Sequence, residues 1–203
     1  MTLHLPPPLD VPLSVERSGE EVRLTTDGNL IAEGRPLSDL GVAVPQPVGL
    51  AEAEEASRNS PLHHAHPFPS CFVCGPNREP EDGLRILPGP VEARELVAAP
   101  WMPDASLPTE HGHIAPEICW AALDCPSGNA LMLLGDVGTA VLGRLATRLE
   151  LPVDPGAAYV VAGWPLARDV RKVDTASALF TEDGTLAGFA RARWVELRTE
   201  ALT

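Results

Sequence analysis

Two cysteines three positions apart, with histidines just ahead of them, are the chain's most informative stretch. Cys71-Phe72-Val73-Cys74-Gly75 follows His63, His64 and His66. A Cys-x-x-Cys turn supplies two of the four tetrahedral ligands that zinc takes. The others would come from the histidines, so Cys71, Cys74 and His66 are candidate metal ligands for a structural zinc. Two other readings stand beside this one. Both thiols can pack as small apolar groups in a tight turn. A redox pair normally opens a helix after a strand, whereas a proline bend follows here.

A second set of candidates lies further on. Glu117 and Asp124 are seven residues apart, hence on one face of a helix. A carboxylate in a dry site can act as a general base or as a nucleophile. Glu117, beside Pro116, also suits the positive end of a helix dipole. Asp124-Cys125-Pro126-Ser127 also reads as the cap of a second helix starting near Pro126. His111 and His113 flank Gly112 in a loop ahead of these residues. Arg168, Arg171 and Lys172 cluster where one strand should end and the next begin, a place where solvated charges are ordinary.

The elements that must position these groups are legible from patterning. Pro116 fits the first turn of a helix over 115–134, and Pro126 should kink or split it. In 139–151, Val141, Leu145 and Leu149 alternate with Arg144, Arg148 and Glu150, a strand with one solvated face. Residues 157–166 are apolar on both faces, as in a central strand. Segments 170–181 and 185–197 form a hairpin across Glu182-Asp183-Gly184. Ile118, Leu123, Leu131, Val160 and Trp164 are expected to be buried where the strands wrap the helix. Short strands are also expected at 84–88 and 91–99.

Ahead of residue 66 the pattern loosens. Residues 1–10 read as a proline-rich tail. A hairpin follows, with Leu13, Val15, Val22 and Leu24 at strand spacing and a turn at Asp27-Gly28. Residues 34–69 form a long proline-rich arm containing the acidic stretch Ala51–Ala56, a candidate short helix. The expected division is therefore 1–65, hairpin and arm, and 66–203, the main domain. Leu24–Leu30 weakly echoes Phe180–Leu186, read as two independent hairpins sharing turn chemistry, with a remnant internal repeat as the alternative.

The net charge of −13 repels phosphate backbones and argues against nucleic-acid partners. No apolar run approaches the ~18 residues of a membrane span. The N-terminus lacks a basic region followed by an apolar core, so no secretory signal is expected. Four cysteines then fit a reducing cytoplasm.

Two segments carry a resemblance to a known family. Cys71-Phe72-Val73-Cys74-Gly75, then a polar proline bend and Gly83-Leu84, preceded by His66-Pro67-Phe68-Pro69, is similar to the head of hotdog-fold acyl-CoA thioesterases. Ala115-Pro116-Glu117-Ile118-Cys119-Trp120-Ala121-Ala122-Leu123-Asp124 resembles their central helix, which carries an acid about two turns in. The resemblance extends over roughly 66–198. It implies an α+β hotdog fold, an antiparallel sheet wrapped around a central helix, here with an N-terminal hairpin and proline-rich arm. It implies hydrolysis of an acyl-CoA or related thioester without a required cofactor, in a homodimer. A non-catalytic acyl-thioester binder is the alternative. Asp124 takes the place of the family's acid, with Glu117 on the same face. His113, Ile118, Arg168 and Arg171 would contact substrate: the first two near the thioester, the arginines near coenzyme A phosphates. The chain departs from the family's glycine-rich helix start. His111-Gly112-His113 lies too far upstream, so oxyanion donors would come from Glu117, Ile118 or the loop.

Overall fold

The computed structural model describes residues 1–198, so the end of the 66–203 span lies outside the described residues. Strands β1 (Thr2–Leu3), β2 (Ser14–Ser18), β3 (Glu21–Thr26) and β4 (Asn29–Gly34) come first, followed by helix α1 (Leu50–Arg58). Next are β5 (Gly89–Pro90), β6 (Val97–Trp101), β7 (Thr109–Glu110) and β8 (His113–Ile114). Helix α2 (Pro116–Asn129) precedes β9 (Ala140–Leu149), β10 (Tyr159–Asp169), β11 (Lys172–Thr181) and β12 (Leu186–Glu196). All but β7 and β8 join one antiparallel sheet in the order β2-β3-β4-β1-β9-β12-β11-β10-β6-β5. Among the described residues no helix is long and apolar enough to cross a membrane.

Helix α2 lies across β9 to β12. Its buried side, Cys119, Ala122 and Leu123, meets Val161 and Leu179 in the larger of two apolar clusters. The smaller cluster occupies the opposite sheet face, where Ala53 and Ala56 of α1 meet Val160, Ala162, Trp164 and Phe180. Side chains on a strand alternate between faces, so β10 is covered on both. Val160 and Trp164 are buried as expected, but under α1 rather than around α2. Ile118 is only half-buried at the edge of the larger cluster.

Three local expectations give way to tertiary contacts. Residues 2–3 are a strand rather than tail, pairing with β4 and β9. Leu84–Pro88 is no sheet strand. The Leu84 and Ile86 amides donate instead to the Phe72 and Val73 carbonyls of the cysteine turn, at 2.8 Å each. Nor does Pro126 divide the helix, because α2 runs unbroken to Asn129. Proline removes one helical hydrogen bond, and hydroxyls serve carbonyls beside the gap. Ser177 of β11 donates to the Leu123 carbonyl (2.5 Å) and Ser127 to that of Asp124 (2.7 Å). Asp124 therefore sits in mid-helix and caps nothing.

The helix comes close to the sheet where β10 carries glycine. A Cβ at Gly163 would fall 2.1 Å from the Pro126 carbonyl oxygen. We expect Gly163→Ala to cost at least about 1–3 kcal/mol, as overpacking does. Denaturant unfolding checks this, and an unchanged midpoint would refute the close approach.

On the far face Asp174 of β11 accepts from Arg193 (2.6 and 2.9 Å) and Arg191 (3.1 Å) of β12. The Arg193 hydrogen bond, assisted by Arg191, outweighs burial and holds the Asp174 carboxyl below its usual range. A depressed folded pKa stabilises above the unfolded value, and the contribution is lost as pH falls through the folded one. The stability gap between the wild type and Asp174→Asn should therefore shrink from neutral to strongly acid pH. Denaturation midpoints across that range test it.

Candidate active site

Alanine and leucine favour α2, and Pro116 starts it where its missing N–H costs nothing. Glu117, Trp120, Ala121 and Asp124 recur at helical spacing on one side of α2, at the margin of the main core. They line a cavity of about 640 Å³. Leu142 and Leu145 of β9 form another wall, and Val22, Leu24 and Ala32 of β3 and β4 close it. The lining is predominantly apolar.

Three carboxyl groups, of Glu33, Glu117 and Asp124, interrupt it, and Asp124 is the buried helical one. Its Oδ1 is buried and has no hydrogen-bond partner. Burial first, and then the nearby Cys71 charge, push its carboxyl up to about 7. A buried carboxyl without a partner costs stability, and such groups concentrate at functional sites. Glu117 is exposed at the first turn of α2. Pro116 has no N–H, and the Ile118 and Cys119 amides both donate to the Ala115 carbonyl. Among the described residues, the Glu117 amide is left as the first-turn donor without a backbone partner.

The cavity thus brings Asp124 and Glu117 together but not the other substrate candidates. His113 Nδ1 pairs with Asp154 Oδ1 at 2.7 Å. Ile118 packs toward the core. Arg168 Nη1 donates to Asp136 Oδ1 (2.6 Å), and Arg171 Nε donates to the Glu196 carbonyl (3.0 Å). Local pairing holds these groups outside the cavity. Sequence reasoning missed Trp120, although its position between Glu117 and Asp124 on the helical repeat was a usable signal. It also missed Val22, Leu24 and Ala32, which only the sheet order brings here.

On another side of α2 a cavity of about 590 Å³ is lined by Cys71, Cys74, Cys125 and His66. His66 Nε2 lies 3.2 Å from Cys74 Sγ. His63 turns away, with its Nε2 2.9 Å from the Ser57 carbonyl. Cys71 Sγ, with Cys125 Sγ 3.5 Å away, is held well below the usual thiol range by hydrogen bonds from Cys125 and then Cys74.

The chain matches a crystal structure described as a thioesterase superfamily protein, with TM-score 0.54 and 21% identity. That match covers 62% of this chain and 60% of the other, less than two thirds of its length. A phenylacetic acid degradation-related protein of Ralstonia eutropha matches with TM-score 0.50 and 16% identity, over 60% of this chain and 93% of that one. At such identities the likeness is one of fold. The sequence matches no protein-family model and no curated protein.

Proposed function

We propose that this chain, which has the hotdog fold of thioesterase-superfamily proteins, hydrolyses an acyl thioester of the coenzyme A type in the Asp124 cavity. The observation that carries this reading is the buried Asp124 carboxyl, its Oδ1 without a hydrogen-bond partner, in the wall of a mostly apolar cavity. Asp124 accepts a proton from water as that water attacks the thioester carbonyl. The negative charge on the carbonyl oxygen is met by the Glu117 amide at the positive end of α2. Helical side chains tilt toward the N-terminus, so the Asp124 carboxylate leans back toward that amide. The tetrahedral adduct collapses, the C–S bond breaks, and the departing sulfur takes the proton from Asp124. The products are a carboxylic acid and a thiol. Trp120 and the aliphatic walls hold the acyl group. A homodimer belongs to the same proposal, and sedimentation velocity tests it.

One observation favours a second reading, binding without turnover. Only one first-turn amide is left for the oxyanion, so transition-state stabilisation is thinner than a pair of donors provides. Thiol release from a panel of acyl-CoAs of different chain length, run beside calorimetric binding, decides between them. Release supports hydrolysis. Tight binding without release supports the binder, and neither signal across the panel would retire the acyl-thioester reading.

A further inference from the structure

Three of the four cysteines converge, although two lie in the turn and the third is on α2. The Sγ atoms of Cys71, Cys74 and Cys125 all lie within 4.8 Å of one another. Cys71 and Cys125, 54 positions apart in sequence, approach to 3.5 Å. In tetrahedral zinc–thiolate sites, Zn–S bonds of ~2.3 Å put neighbouring sulfurs about 3.8 Å apart. The observed spacings bracket that edge. The fourth cysteine, Cys119, stands apart, with the Ile114 carbonyl 3.9 Å from its Sγ.

Two nitrogen donors stand beside the sulfurs. Phe68 N–H donates to His66 Nδ1 at 2.9 Å, which leaves the ring proton on Nε2, facing Cys74 Sγ at 3.2 Å. His66 thus stands as a hydrogen-bond donor to that sulfur, the support that metal-bound ligands ordinarily receive from outside the coordination sphere. Asn129 Nδ2, a buried donor without a partner, belongs to a residue lining the same cavity.

We propose that Cys71, Cys74 and Cys125 bind a single zinc ion as three thiolates, joining the Cys-x-x-Cys turn to the central helix. Cys125 is the ligand that sequence spacing does not offer, because the fold brings it to the turn. Three protein ligands leave a fourth position, and the cavity lined by all three cysteines has room for solvent there. The ion would hold α2 one residue from Asp124. The proposal stands on the sulfur geometry and does not depend on the thioesterase reading.

Metal analysis of the full chain, purified under reducing conditions without chelator, tests it. We expect about one zinc per chain, and a lower melting temperature after chelation. Cobalt(II) exchanged into the site should give the intense near-ultraviolet thiolate-to-metal band. Cys125→Ser should weaken zinc binding about tenfold or more and diminish that band, whereas Cys119→Ser should leave both unchanged. Should Cys125→Ser fail to fold, Cys71→Ser in the half-buried turn gives the same readout. A protein without zinc that shows no cobalt–thiolate band overturns the proposal. So does a Cys71–Cys125 disulfide in the freshly reduced preparation, or a Cys125→Ser variant with wild-type metal content and spectrum.

Discussion

Asp124→Asn is expected to lose roughly 10²-fold or more in acyl-thioester turnover while keeping its fold, the scale at which a positioned base is felt. The substitution preserves shape and removes the group that takes the proton. No native hydrogen bond is lost at Oδ1, which has no partner. The asparagine also spares the helix a charge that burial disfavours, so thermal stability should be held or raised. Loss of rate with retained stability marks a group kept for chemistry rather than for packing. The measurement pairs initial rates on the best substrate of the panel with a thermal melt. An unchanged rate would remove Asp124 from the mechanism. A collapsed melt would show that the carboxylate is structural after all.

Leu123→Ala should act in the opposite way, costing about 2–5 kcal/mol of stability. Leu123 is fully buried at the α2–sheet contact, within the larger cluster. Truncation forfeits its transfer free energy and leaves a cavity between α2 and a sheet that cannot collapse onto it. The neighbouring Asp124 faces the other way, so the folded fraction should keep most of its turnover at low temperature. Denaturant unfolding reads the effect as a lower midpoint with an unchanged slope. A cost under about 1 kcal/mol would mean that α2 is not the element on which the sheet is built.

Asp124 and Leu123 were both legible in the sequence, as were α2 and the four long strands β9 to β12. Helical and strand periodicities are local, and these elements are long enough to show them. Glu117 could be placed beside Asp124 by counting turns. The carboxyl-and-helix half of the candidate site was therefore legible from helical spacing together with the family resemblance, and the Cys71–Cys74 turn from its motif.

The other half depends on contacts between segments distant in sequence. Val22, Leu24 and Ala32 close the Asp124 cavity because β1 bridges β4 and β9, a pairing of two residues too short to leave a pattern. Cys125 meets Cys71 only once the cysteine turn is folded against α2. Pro126 suggested a break in the helix, yet Ser177, more than fifty positions away, donates to the Leu123 carbonyl beside it. Arg168 and Arg171 stand at the β10–β11 turn, where Asp136 and the Glu196 carbonyl, from other segments, pair with them. Periodicity records which face of an element is apolar. It carries no record of which other element covers that face, because burial and pairing are set by the whole chain at once.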